Sequence, residues 1–252
     1  MFALSRVLLL VTLKLSAGCD TLNALGFCKN GHSLSMSDFI KRRVVMVDTQ
    51  VRPSDVTKFP IIEAMLYVAR EDFVPASQRE AAYVGENLDL GHGRVVLEPR
   101  TLAKMLDALA IDRTELVLDV GCCLGYSTAV IARMAQAVVA VEQDADMAEE
   151  AQEALMVAGA DNAVVHEGAL IEGAPQHGPY DVIIVQGGVG EMPPALVAQL
   201  KEGGRIAALF MNGQLGEVRL GHKRAGQIGW RLAFNAAAPI LPGFAKHMTF
   251  TL

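Results

Sequence analysis

Apolar and polar positions follow one rhythm up to about Asp112 and another after it. From Met36 onward the pattern is mostly helical, broken by turns. Ser37 or Asp38 is the expected cap of a first helix. Between Lys58 and Val68, Phe59, Ile62, Met65 and Leu66 share one face at helical spacing, and Pro75 ends that stretch. Leu88 to Pro99 is punctuated by Gly91 and Gly93 and reads as extended. Thr101 to Ala110 resumes a helix with an apolar stripe of Leu102, Met105, Leu106 and Leu109.

Beyond Asp112 short apolar runs alternate with helical patterns. Strands are expected at Glu115 to Val120, Ala137 to Glu142, Ala163 to His166, Tyr180 to Val185 and Arg205 to Phe210. Helices are expected at Ser127 to Ala135, Asp146 to Ala158 and Pro193 to Leu200, the last closed by Gly203-Gly204. Residues 218–252 look like two or more further strands, with Trp230 to Ala236 the clearest. Alternation of this kind predicts an α/β fold: a Rossmann-like, doubly wound, mostly parallel sheet with a helical lead-in and extra strands at the end. The chain divides on this reading into an extension (1–35), a lead-in with an extended loop (36–112) and a ligand-binding domain (113–252).

The extension reads differently. Arg6, the apolar run Val7 to Leu13 and Ser16-Ala17-Gly18-Cys19 imitate an export signal, interrupted by Lys14 and far shorter than the roughly 20 apolar residues of a membrane span. A start assigned too far upstream is the plainer expectation, with Met36 as the natural beginning.

Composition narrows the function. With 52% hydrophobic and 20% charged residues the chain builds a real core. A net charge of -6, with no basic run longer than Lys41-Arg42-Arg43, argues against a nucleic-acid partner. Four cysteines are too few for a disulfide scaffold and fit a reducing cytoplasm. Cys122 and Cys123 are adjacent and lack metal-ligand spacing, so no metal is expected.

Candidate chemistry concentrates in Asp119-Val-Gly-Cys-Cys-Leu-Gly125. In doubly wound sheets ligands bind beyond the carboxyl ends of the strands. Gly121 and Gly125 bracket a tight turn from a strand into a helix. Glu142 ends the next strand, 21 residues after Gly121, a spacing that suits an acid accepting ribose hydroxyls. A nicotinamide dinucleotide wants G-x-G-x-x-G, whereas this loop is G-x-x-x-G. S-adenosylmethionine, with no pyrophosphate, fits the shorter loop. Asp119 is then the candidate for the methionine ammonium and Glu167 for adenine or ribose donors, with Cys123 inside the loop.

At this point the sequence resembles the protein-L-isoaspartate O-methyltransferases, over nearly everything after Met36. Val68 to Pro75 looks like that family's leading helix end, and Ala82-Tyr83 through Gly91-His-Gly93 to Pro99 like its substrate loop, G-x-G-Q-T-I-S-x-P. Val117 to Ser127 resembles its glycine loop, and His166-Glu-Gly168 stands where the family has Gly-Asp-Gly. The resemblance implies a class I methyltransferase fold and methyl transfer from S-adenosylmethionine to the α-carboxylate of isoaspartyl residues, which begins repair of damaged proteins. Its partners would be isoaspartyl proteins or peptides, and its working form a cytoplasmic monomer with no membrane attachment. No catalytic acid or base is implied: the carboxylate is already ionised and the sulfonium is an activated leaving group, so alignment and desolvation do the work.

Two departures follow. Arg94, Val95, Val96 and Leu97 stand where the family has Gln, Thr, Ile and Ser, so Arg94, Val95 and Leu97 line the substrate position without either hydroxyl. Arg94 or Arg100 would then clamp the carboxylate. Cys123 replaces the loop's middle glycine, which takes room from the donor. These departures keep two alternatives open: a methyltransferase-fold binding protein without the activity, or a methyltransferase for another acceptor.

Overall fold

The structure, a computed structural model, describes residues 36–246. The signal-like segment, Cys19 and Cys28 lie outside the described residues. The lead-in contains α1 (Met36–Met46), α2 (Phe59–Tyr67), a hairpin of β1 (Leu88–Gly91) and β2 (Arg94–Val96), and α3 (Pro99–Leu109). Then come β3 (Leu116–Val120), α4 (Tyr126–Ala132), β4 (Ala137–Glu142), α5 (Ala145–Val157), β5 (Ala163–Glu167), β6 (Tyr180–Val189), α6 (Pro194–Ala198), β7 (Leu200–Asn212), β8 (Leu215–Arg224) and β9 (Gln227–Asn235).

Local chemistry explains several boundaries. Pro99 opens α3, where its missing N–H costs nothing, and Ala110 ends it in the left-handed region. Asp144 caps α5 by accepting from the Met147 N–H. The stripe foreseen on α3 is buried throughout, as Leu102, Met105, Leu106 and Leu109 show. The face of α2 differs: Ile61, Ile62, Ala64 and Met65 are buried, while Phe59 is 71% exposed. Phe59 belongs to the first turn, beside Pro60, and projects past the core.

Seven strands form one sheet in the order β5-β4-β3-β6-β7-β8-β9. The pairs from β5 to β7 are parallel; β8 and β9 add antiparallel at the edge. Side chains alternate between faces at period two. Val117, Val182, Ile184, Ala207 and Leu209 enter one hydrophobic cluster, and Leu118, Val120, Ile183, Val185, Ile206 and Ala208 enter another. Strands buried on both faces therefore read as continuous apolar runs. The first cluster also takes Met46, Met65, Phe73 and Leu106, so the lead-in shares a core with the sheet.

One expected boundary is corrected. Gly203-Gly204 does not close a helix; it lies within β7, which starts at Leu200. The register slips there, with Tyr180 opposite Leu200 but Val182 opposite Arg205, and Gly203 at φ +79 takes up the extra length.

Chain order leaves β3 at the reversal: β4 and β5 extend to one side, β6 and β7 to the other. The loop after β3 thus opens onto the switch point where such sheets bind ligands.

Candidate functional site

Three successive strands deliver the acids. Asp119 lies on β3, while Glu142 ends β4 and pairs in register with Glu167 at the end of β5. Asp119 and Glu142 are fully buried; Glu167 is exposed. Gly121 (φ +82) turns the chain out of β3, and Gly125 (φ +93) caps α4. It is the φ of Gly125 that calls for glycine, since a Cβ there would meet Ala151 and Leu155 of α5 only at ordinary contact distance.

Cys123 holds the third special position. Its φ of +53 is left-handed, which a side chain adopts at a cost of about 1–2 kcal/mol. Its thiol lies 3.5 Å from the carbonyl oxygens of Val95 and Gly121, joining loop and hairpin. Burial pushes the Cys123 thiol up to about 12, and burial, reinforced by Asp119 and Glu142, raises Cys122 well above the usual range. Neither is a reactive thiolate near neutral pH. Iodoacetamide at pH 8 is therefore expected to alkylate both at least about a hundredfold more slowly than free cysteine, and at ordinary rates in denaturant. Peptide mapping checks this, and fast native labelling of Cys123 would contradict it.

Side chains not singled out from the sequence saturate Asp119. Ser127 Oγ and Thr128 Oγ1 each donate to its Oδ2, and Gln186 Nε2 to its Oδ1, all at 2.7 Å. Burial raises this carboxyl despite those three bonds. Ser127 and Thr128 follow the glycine loop directly, a signal available in the sequence; Gln186, 67 residues from Asp119, gave none.

The substrate-loop residues lie inward. Val95 and Leu97 are 3% exposed and join the core, and the Leu97 carbonyl accepts from Arg70. Arg100 stays at the surface, near Glu98 and Phe234. Arg94, the first residue of β2, is only 2% exposed; its Nη2 donates to Glu142 Oε2 and its guanidinium lies over Gly121. Glu142 accepts further from the Cys123 N–H at 2.9 Å and from the N–H groups of Gln143 and Asp144.

Donor-type acids, glycine turn and switch point thus coincide, but the space between them is taken. The cavity against the loop, bounded by Val95, Leu97, Gly121, Cys123, Tyr126 and Gln186, is about 10 Å³, room for one water. Glu142, fully buried and paired with Arg94, is closed to S-adenosylmethionine in this arrangement. A cavity of about 830 Å³ lies elsewhere, between the segment from Tyr67 to Val74 and α5, and touches neither the loop nor Glu142. Volume alone points away from the chemistry.

Comparison with known proteins agrees with this architecture. The family described as protein-L-isoaspartate(D-aspartate) O-methyltransferase matches residues 43–228. A protein-L-isoaspartate O-methyltransferase of Koribacter versatilis is 33% identical over 196 residues, 78% of this chain and 88% of its own. One from Rhodopseudomonas palustris is 35% identical over 170 residues, 68% of this chain and 69% of its own. A solved structure of a protein of that name superposes with a TM-score of 0.69 at 25% identity, covering 82% of this chain and 67% of the other. A Plasmodium falciparum structure bearing the same enzyme name, in complex with S-adenosyl-L-homocysteine, shares the fold at 20% identity. Its TM-score is 0.68, and the match covers 79% of this chain and 97% of that one.

Proposed function

Because the chain belongs to the protein-L-isoaspartate O-methyltransferase family, we propose that it methylates the carboxylate of isoaspartyl residues in damaged proteins and so serves protein repair. The donor of this chemistry is S-adenosylmethionine, which supplies a methyl group already activated on a sulfonium. Asp119, Gly121, Cys123, Gly125, Glu142 and Glu167 form the donor side of the site on this reading, and Arg94 stands between donor and acceptor. The observation that carries it is the buried Glu142 carboxylate, held by the Cys123 N–H at the switch point of a parallel sheet. That is an acid placed for a ligand with hydroxyl donors.

No titrating side chain is asked to move a proton. What the chain must do is hold the acceptor carboxylate in line and keep water out. Val95 and Leu97, buried beside the loop, offer an apolar wall with no hydroxyl to donate. The cationic group nearest the loop is Arg94, suited to pair with a carboxylate.

The free thiols Cys122 and Cys123 accord with a reducing cytoplasm as the working compartment. A monomer acting on protein or peptide substrates completes the proposal. Among the described residues no helix is long and apolar enough to cross a membrane.

Transfer of labelled methyl from S-adenosylmethionine to an isoaspartyl peptide, with the matching aspartyl peptide as control, tests the reading. Label on the isoaspartyl peptide alone is expected; label on neither, at millimolar donor, overturns it. One observation favours the second reading, a methyltransferase fold that binds a partner without transferring: Arg94 already occupies the place beside Glu142.

A further inference from the structure

A guanidinium buried to this depth normally finds partners for most of its five donors. Arg94 does not. Its Nη2 pairs with Glu142, while Nε and Nη1 are buried without a hydrogen-bond partner. Arg43, also buried, is better served: it reaches Glu71, Tyr83 and two backbone carbonyls. Both members of the Arg94–Glu142 pair lie in the donor site. Glu142 is the acid spaced for ribose hydroxyls, and Nη1 would stand 3.0 Å from a Cβ on Gly121, so the guanidinium covers the turn that a ligand must approach.

Resting on the reading of the chain as a donor-binding methyltransferase, we propose that Arg94 is a built-in occupant of the methyl-donor site. Its pairing with Glu142 and the binding of donor exclude one another, so donor enters only when this pair opens.

Chemistry supports the exclusion on both sides. Glu142 Oε2 already accepts from Arg94 and from the Cys123 N–H, and Oε1 from two further N–H groups, so ribose hydroxyls can be received only in place of Arg94. Arg94 is 2% exposed and Glu142 is fully buried, so a ligand reaches this carboxylate by displacing the guanidinium. The closed state is also incompletely satisfied, since each unpaired buried donor weighs against it. Arg94 follows the turn Gly91-His92-Gly93, whose φ angles are +82, +53 and +72, and sits on a strand of three residues. It is thus carried by a small hairpin outside the seven-stranded sheet. An arginine leaving Glu142 from this position retains its charge for the acceptor carboxylate. One residue would then link donor entry to acceptor recognition.

The cost to the donor follows from populations. A site closed nine-tenths of the time binds about tenfold more weakly than the open site. The test titrates S-adenosyl-L-homocysteine calorimetrically into the full chain, as wild type, Arg94→Gln and Arg94→Ala, after each shows a cooperative melt. Both variants leave Glu142 its three backbone N–H partners. They are expected to bind at least about tenfold more tightly than wild type, and the ligand should raise their Tm more. Equal affinity in wild type and variants overturns the occupant while leaving the methyltransferase reading in place. Absence of binding by all three at millimolar ligand overturns both. Wild type carries an independent readout: phenylglyoxal labelling of Arg94, mapped by mass spectrometry, is expected to rise when the ligand saturates. Unchanged labelling at saturation also overturns the proposal.

Discussion

Glu142→Ala is expected to remove about 3–5 kcal/mol of folding stability, the cost of leaving one member of a buried ion pair without the other. Arg94 is 2% exposed and already carries two unpaired donors. Without Glu142 its charge has no anion within hydrogen-bond reach, and the N–H groups of Cys123, Gln143 and Asp144 lose their acceptor as well. Against a typical total of about 5–15 kcal/mol, this takes a large share. Urea unfolding followed by far-UV circular dichroism measures it. The double variant Arg94→Gln with Glu142→Gln should recover much of the loss, because no uncompensated charge remains, and a double-mutant cycle isolates the coupling. A loss below about 1 kcal/mol for Glu142→Ala would show that the pair is solvated rather than buried.

The next largest effect belongs to Asp119. Its replacement by alanine strips Ser127, Thr128 and Gln186 of their shared acceptor in a fully buried place. About 2–4 kcal/mol should be lost. The conservative Asp119→Asn isolates the charge. Burial raises the Asp119 carboxyl above its unfolded value, so the folded state holds the proton more tightly. Its contribution to stability is complete below the unfolded value near 3.9 and is lost as pH rises through the elevated folded one. The stability of wild type relative to Asp119→Asn should therefore increase as pH falls from 7 toward 4. Urea midpoints across that range give the answer, and a flat difference would mean that desolvation of Asp119 is fully offset by its three hydrogen bonds.

Both predictions concern residues that the sequence had placed near a ligand but not near these partners. The strand ends were legible because their signals are local: an apolar run, a glycine turn, an acid, then a helical stripe. Ala137–Glu142 matches the expected strand end to end, and α3 buries the stripe it was expected to bury. Several boundaries moved: β6 runs on to Val189, and β7 starts at Leu200 because Gly203-Gly204 is a pair that local chemistry assigns to a turn and strand pairing turns into a bulge. The placement of Gly121, Gly125 and Glu142 was legible because the spacing from turn to strand-end acid is set by one strand–helix–strand unit.

The sequence by itself thus determined the order of strands and helices, the glycine turn after β3 and the acids at successive strand ends, since each follows from residues within a turn or a strand of one another. Only the tertiary structure decided what those groups touch. Arg94 reaches Glu142 across 48 residues and Gln186 reaches Asp119 across 67, through strand order and a hairpin that brings Arg94 to the ends of the inner strands β3 and β4. Val95 and Leu97 are core because the hairpin lies on the shared hydrophobic cluster, a fact that no local period encodes. Contacts between distant segments depend on how surfaces pack in three dimensions, and in this chain that packing sets the Arg94 guanidinium on the buried Glu142 carboxylate.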